Sequence, residues 1–516
     1  MPWPRKGFIS QWAEQHPHLT ALLGFGVIAA VGLGGYVFAA QHLAGWGFPL
    51  DDAWIHQTYA SHLAAWGTWA YRAGQPSAGA TAPLWVLLLA LGYLLRVSPL
   101  VWSALLGWLT LTALGWAGWA LWRVWMPQYR GWWPWLAGLV LVTSWHMLWA
   151  GLSGMETALA ALGMLALTLA GPLAVQKSSA WAGVVGAGVG LMVWLRPETM
   201  IVLALLAAVP WLDALKTRSP AAYKHALQRT LALGAGFAAL VGPYLLFNLH
   251  LAGRIWPNTF YAKQAEYAAL RQQPLVVRWM RVALPLFVGP GVVLLPLGFL
   301  QMWRDFRNRA WGRLVAPVWA WGHVTLYALR LPVAYQHGRY VMPALAVLLW
   351  YGLRGLASLW QSAGQAPFQR WRWILSRSVG ILVILVSAAF LGLGAQAYAQ
   401  DVAVIETEMV ATAQWMANHL PTGTRVAAHD IGAVGYFTDF PLVDLAGLVS
   451  PEVIPFVRDE DALRQFLDQQ DVDVLVVFPD WYTHLTRGLP VLYFNPEGWG
   501  PRLGSTHMTV YRWKPH

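Results

Sequence analysis

Along most of this chain apolar residues neither alternate nor recur on one helical face; they run on in long stretches parted by short polar breaks, from Leu19 to Gly394. A helix that crosses a hydrocarbon core of roughly 30 Å needs about 20 such residues. By that rule the pattern predicts about eleven spans, near 19–40, 100–122, 132–150, 156–175, 179–195, 198–212, 230–250, 283–303, 313–330, 339–358 and 374–397. The apolar run 82–95 is shorter and follows the polar turn 74–79, so it is expected to re-enter or to lie at the interface. The short spans either side of Arg196-Pro197-Glu198 would also fit one broken helix. After about Gln400 the rhythm changes, and the pattern predicts helices over 401–419 and 460–469 and strands over 425–429, 441–445, 472–478 and 508–513. Strands alternating with helices imply a small α/β domain. The chain thus divides into a membrane body, 1–399, with a first outer loop at 41–99, and a soluble domain, 400–516.

Charge orients these elements. Arg5 and Lys6, Arg123 and Arg130, Lys177, Lys216 to Arg229, Arg304 to Arg313, and Arg354 with Arg370, Arg372 and Arg377 fall in alternate loops. Positively charged loops face the cytoplasm. The remaining loops, and with an odd number of spans the C-terminal domain, are then expected outside. Composition agrees with the membrane reading: 57% of the 516 residues are hydrophobic and mean hydropathy is +0.45, values that soluble domains do not show. The fold class expected is a polytopic α-helical membrane protein with a C-terminal extracytoplasmic α/β domain. The net charge of +11 is spread through short loops as topology requires, which excludes nucleic acid as a partner. With no cysteine, disulfides, Cys-ligated zinc and thiol catalysis are excluded. The first apolar run is too long for a signal-peptide core and reads as a retained span.

In a chain that is only 11% charged, the adjacent carboxylates Asp51-Asp52, at the outer end of the first span, require a reason. One is structural, an N-cap and first turn for a helix from Asp52 to about Trp66. The other is chemical, because acids at a membrane boundary are costly and an adjacent pair can divide its labour between ionised base and proton-sharing neighbour. Other polar residues gather on the same side. Glu156 follows Ser153-Gly154 and opens an apolar helix, where the helix dipole alone would favour an acid. Glu198 is placed likewise and is paired in sequence with Arg196. Lys263, Arg339 and His337 fall on this side too, with headgroup snorkelling as one reading of the first two. Tyr261 and Tyr340 fit either a site or an aromatic belt. His429-Asp430 ends a predicted strand, where turn chemistry competes with a metal-binding or acid/base role. No Gly-Lys-Ser/Thr phosphate loop occurs, so an activated donor or a gradient must supply the energy.

The first outer loop continues through Trp54-Ile55-His56-Gln57-Thr58-Tyr59-Ala60 to a Gly-rich turn and Pro83-Leu84-Trp85. Further on come Ser153-Gly154-Met155-Glu156-Thr157, Arg196-Pro197-Glu198, Pro257-Asn258-Thr259-Phe260-Tyr261-Ala262-Lys263, His337-Gly338-Arg339-Tyr340, His429-Asp430-Ile431-Gly432 and Asp444-Leu445-Ala446-Gly447. In this order the set resembles the GT-C glycosyltransferases, and most closely their bacterial arabinofuranosyltransferase-like branch. The resemblance implies inverting transfer of a sugar from a polyprenyl-phosphate donor to a glycan, lipid or protein acceptor at the outer face of the cytoplasmic membrane. It favours Asp51 as general base, with Asp52 supporting it or positioning the acceptor. Lys263, His337, Arg339, Tyr340 and Arg196, with Glu156, Asn258 and Tyr261, are the expected donor phosphate or sugar ligands, and His429 and Asp430 the acceptor-side candidates. A monophosphate donor requires no divalent metal; a structural calcium is left open, and the chain is expected to be a monomer. The competing functional class is a transporter or flippase of lipid-linked sugars, in which the acids would couple protons.

Overall fold

The computed structural model describes residues 15–72, 74–362 and 369–514. Arg5 and Lys6, two of the orienting cations, lie outside them. Six helices among the described residues are long and apolar enough to span a membrane: Pro17–Gln41, Pro99–Trp125, Pro197–Thr217, Pro220–Ala252, Met342–Gln361 and Arg370–His419. Three bent pairs raise the number to as many as nine. The bends fall within three stretches expected as single spans: 51° between Trp133–Val142 and Trp145–Leu152, 42° between Thr157–Leu169 and Gly171–Lys177, and 110° between Leu275–Phe287 and Gly291–Arg307. Proline supplies the break at the last two, Pro172 in one and Pro285 with Pro290 in the other. Ser179–Val193 is apolar but only 15 residues long, and the stretch 82–95 forms the 12-residue helix Pro83–Leu94. Outward-facing Val27, Val31, Phe38, Leu231, Leu246, Ile384 and Leu385 are exposed, as the lipid-facing side of a multi-pass membrane protein requires.

Several orienting cations expected in loops lie within helices instead, among them Arg123 in Pro99–Trp125, Arg229 in Pro220–Ala252 and Arg377 in Gln369–Val404, and one of them is also fully buried. Arg354, expected in a loop, lies inside the helix Met342–Ser362 and is buried against Asp305 of Gly291–Arg307. Counting charge along the chain does not separate a loop arginine from one that a neighbouring helix neutralises.

The last span is continuous with the C-terminal region: Gln369–Val404 runs through a π-helical segment, Ile405–Val410, into Ala411–His419. A two-stranded hairpin in the first loop, β1 (Ala70–Arg72) and β2 (Gln75–Pro76), precedes a five-stranded sheet of β3 (Val426–Ala428), β4 (Leu442–Asp444), β5 (Val474–Val477), β6 (Val491–Phe494) and β7 (Thr509–Arg512), in the order β4-β3-β5-β7-β6. β3 pairs in parallel with β4 and β5, and β7 runs antiparallel to β5 and β6. The helix Glu460–Gln469 has the predicted bounds. β6 had no counterpart in the sequence reading, since it is a four-residue edge strand between Pro490 and Asn495 with no buried residue to mark a core face.

This domain is seated on the loop that follows the first span. Its short helix Gly432–Phe437 packs on the helix Asp52–Trp66, whose Trp54 ring meets Tyr436 at 4.6 Å and Phe437 at 4.8 Å. Tyr71 donates to the Ile431 carbonyl and Arg72 to the Phe440 carbonyl. The backbone approaches so closely that a Cβ on Gly432 would meet the Asp51 carbonyl oxygen at 2.0 Å, so only glycine fits there.

Candidate active site

Two cavities open between the membrane body and this seated domain, and they share one wall. The larger, about 630 Å³, has an apolar stretch formed by Met200, Trp256, Phe260, Leu326 and Leu331, and a polar end formed by Asp52, His56, Glu156, Arg196, Lys263, Arg339 and Tyr340. The smaller, about 330 Å³, is lined by Asp51, Glu266, Tyr267, Gln336, His429, Asp430 and Trp481. Asp52, Ile55, Lys263, Arg339 and Leu448 line both.

The polar wall between them is built from three elements. Asp52 is the first residue of its helix; Lys263 comes from Asn258–Glu266; Arg339 and Tyr340 follow a turn in which Gln336, His337 and Gly338 all have positive φ, 53°, 58° and 73°. Two consecutive non-glycine residues in the left-handed region store strain, a feature that concentrates at functional sites. Arg339 donates to the Asp52 carboxylate, Lys263 Nζ lies 3.6 Å from the same oxygen, and both cations reach the Tyr340 hydroxyl, at 3.1 Å from Lys263 and 3.2 Å from Arg339. Burial raises the Asp52 carboxyl, but Lys263 and Arg339 outweigh it and hold it well below the usual carboxylate range. Burial likewise raises the Tyr340 phenol, and Arg339 with Lys263 more than reverse this, bringing it down to about 8.

Asp51 has a different environment. Its oxygens accept the N–H groups of Gly432 at 2.6 Å and Ala433 at 2.8 Å, so it latches the C-terminal domain to the first loop. Burial pushes its carboxyl up; the two N–H groups only partly offset this, the Asp52 charge adds to it, and the result is about 7. Beside it Asp430 is raised well above the ordinary range by burial, then by Asp51 and Asp52, and its Oδ2 has no hydrogen-bond partner.

The remaining candidates divide. Glu156 accepts from Arg196 Nε at 2.9 Å, and Arg196 also lies 3.7 Å from Glu198; all three line the larger cavity, as does Tyr261, under the Arg254 guanidinium. His429 faces the smaller one, its Nδ1 2.7 Å from the Tyr482 hydroxyl and its Nε2 3.7 Å from Glu266. His337 lines neither cavity: its Nε2 pairs with Asp401 at 2.7 Å, and Trp149 donates to the same carboxylate, tying the strained turn to the last long helix. Asn258 is also outside, its backbone N–H donating to Ala78. Two residues not singled out from the sequence belong to the site. His56 lies four residues beyond Asp52 and Glu266 three beyond Lys263, and this same-face helical spacing is the signal that would have found them. Among the described residues no three His, Cys, Asp or Glu side chains are grouped to hold a metal ion.

The fold thus defined is that of the GT-C glycosyltransferases. ArnT from Cupriavidus metallidurans bound to undecaprenyl phosphate is similar with a TM-score of 0.58 and 17% identity, over 95% of this chain and 97% of that one. An Archaeoglobus fulgidus oligosaccharyltransferase tethered to an acceptor peptide is similar with a TM-score of 0.56 and 11% identity, over 98% of this chain and 75% of that one. The arabinofuranosyltransferase AftD from Mycobacteria follows at 0.50 and 17%, over 95% of this chain and 41% of that one. Residues 396–511 match a protein family described as a domain of unknown function (DUF8728). No curated protein matches the chain by sequence.

Proposed function

We propose that the protein is an inverting glycosyltransferase that moves a sugar from a polyprenyl-phosphate donor to an acceptor hydroxyl on the outer face of the cytoplasmic membrane. The observation that carries this reading is the shared wall. A long cavity with an apolar stretch and a cationic end suits a lipid phosphate, and it meets a second, acidic and aromatic cavity at the residues that would hold the phosphate. The buried polar atoms left without partners at the polar end point the same way. Arg339, only 3% exposed, has its Nε and Nη1 donors unpaired, whereas Glu156 Oε2 and His56 Nε2 are unpaired acceptors. A sugar phosphate is complementary to that set, since its phosphate oxygens accept and its hydroxyls donate.

In this mechanism the donor phosphate takes Arg339 and Lys263 over from Asp52, and these fixed cations stabilise the charge that develops as the anomeric C–O bond to the phosphate breaks. Asp51, on the side of the smaller cavity, accepts the proton of the acceptor hydroxyl as its oxygen bonds to the anomeric carbon from the opposite face. A base tuned near neutrality suits that step, and each Asp51 oxygen retains a lone pair beyond the N–H it holds. Asp52 keeps the two cations in place before the donor arrives. The phosphate charge is met by side chains, so no divalent ion is required. His429 and Asp430 belong to the acceptor side, and the protein acts as a monomer.

The test is transfer of radiolabelled sugar from polyprenyl-phosphate donors to membrane extracts by purified wild type and Asp51→Asn. Loss of transfer in the variant with donor binding retained is expected. Unchanged transfer would remove the base from Asp51. A wild type that carries lipid-linked sugar across vesicles yet transfers none would replace the enzyme reading with a flippase.

A further inference from the structure

The polar end of the larger cavity has more structure than a phosphate needs. His56 is 3% exposed, and its Nδ1 lies 3.1 Å from the Asp52 carbonyl. A carbonyl can only accept, so Nδ1 carries the proton and the unpaired Nε2 presents a lone pair to the cavity. Burial pushes this imidazole down and keeps it neutral, which preserves that lone pair. Glu156, also 3% exposed, has Oε1 engaged by Arg196 at 2.9 Å, while its Oε2 has no partner. Burial raises the Glu156 carboxyl, but Arg196 together with the smaller pull of its other neighbours, Arg339 among them, outweighs this and lowers it. Because its charge is already balanced by Arg196, Oε2 offers a lone pair and no surplus charge. Two buried acceptors on residues that line one cavity, neither satisfied by the protein, suit a ligand that donates twice.

We infer that Glu156 Oε2 and His56 Nε2 form a donor-sugar subsite that accepts two hydroxyl groups of one sugar ring, so that the donor is a neutral, hydroxylated sugar and neither a uronic acid nor a sugar deoxygenated at those positions. This rests on the polyprenyl-phosphate reading above and specifies its substrate class. A carboxylate on the sugar would face Glu156 and leave both lone pairs unmet. A missing hydroxyl would strand one of them, and sites built on buried hydrogen bonds reject such analogues strongly.

The test uses the full chain in nanodiscs and measures equilibrium affinity for undecaprenyl phosphate alone and for its glucosyl, mannosyl and arabinofuranosyl esters, each with monodeoxy forms at every free hydroxyl in turn and, for the hexoses, uronic acid forms. At least one hydroxylated ester is expected to bind about tenfold more tightly than the bare lipid phosphate, the worth of two buried hydrogen bonds. Glu156→Gln, which can turn a donor toward the sugar, and His56→Phe should each erase that gain while affinity for undecaprenyl phosphate alone stays within about twofold, which also shows that the variants fold. A gain that survives both substitutions, a uronic ester that binds as tightly as its parent, a series of monodeoxy esters that all do so, or bare lipid that binds with no sugar adding affinity would overturn the subsite alone. If undecaprenyl phosphate itself fails to bind the wild type, the parent reading fails and the subsite with it.

Discussion

Two buried arginines, Arg354 and Arg339, each pair with an aspartate, and the two pairs are finished differently. Arg354, 1% exposed, donates to both oxygens of Asp305, at 2.9 and 3.5 Å, and its Nε meets Met126 Sδ at 3.5 Å; Tyr351 and Gln301 also donate to that carboxylate, at 2.5 and 3.2 Å. Every side-chain nitrogen and oxygen of the pair has a partner, and no described cavity touches it. Arg339 holds Asp52 with one nitrogen and leaves the other two unpaired at the junction of two cavities. The first arrangement locks a helix pair together. The second keeps hydrogen-bonding capacity in reserve, which a buried charge retains only when something else is to use it.

The largest expected effect breaks the closed pair. Asp305→Ala leaves Arg354 buried without a counter-ion and should cost about 3–5 kcal/mol of stability. Thermal unfolding in detergent would show this as a marked fall in Tm. Arg339→Met should lower Tm by less than half as much, because Asp52 keeps Lys263 and is part-exposed. Comparable losses from the two substitutions would erase the distinction between locked and reserved.

Arg339→Met should instead act on transfer. Removing one preorganised donor to a developing negative charge typically costs about 10²–10³ in rate, and here affinity for undecaprenyl phosphate should fall too. Arg354→Met, read in the same assay on the fraction that remains folded, should leave turnover near wild type. A folded Arg339→Met protein with normal transfer would sink the phosphate assignment.

How much of this contrast was legible in the sequence depends on what carried the signal. Long apolar runs identify most of the spans, and β3, β4, β5, β7 and the helix Glu460–Gln469 follow from hydrophobic period and turn residues. Asp51, Asp52, Lys263 and Arg339 stood out because charge is rare in this chain and all four were expected on one side. Bends at Pro172 and Pro285 did not show, since hydropathy averages over a break. Nor did the partner of Arg354: Asp305 is 49 residues away and belongs to a different helix. His337 looked like a ligand by adjacency to Arg339, yet the left-handed turn points it toward Asp401 instead. His56 was passed over because a single histidine on an apolar helix gives no signal until its Nε2 is seen to lack a partner.

A smaller effect follows from the differing environments of Asp51 and Asp52. Asp51 is raised to about 7 by burial and must be ionised to accept a proton. Transfer should therefore be full above that pH and fall about tenfold per unit well below it, the behaviour of a single essential base. The Asp52 charge contributes to the elevation, so Asp52→Asn should move the acid limb of kcat/KM to lower pH even as it weakens the hold on the cations. Profiles from pH 5 to 9 would check both, and an acid limb near 4 in the wild type would exclude Asp51 as the base.

The smallest effect gives the most local readout of the reserved pair. The Tyr340 hydroxyl touches Lys263 and Arg339 together, and these cations favour its phenolate, which is why it falls to about 8. Ultraviolet difference titration of the wild type should then show one tyrosine ionising near that pH, absent in Tyr340→Phe. An anionic phosphate bound by the same cations would cancel their pull, so saturating undecaprenyl phosphate should shift the transition upward and no other treatment of the lipid tail should. Tyr351 supplies the contrast from the closed pair, because its hydroxyl donates to the Asp305 carboxylate and it lines neither cavity. Tyr351→Phe should leave the transition near 8 in place. If undecaprenyl phosphate binds but the Tyr340 transition does not move, the phosphate lies elsewhere in the larger cavity, and Arg196 becomes the cation to follow.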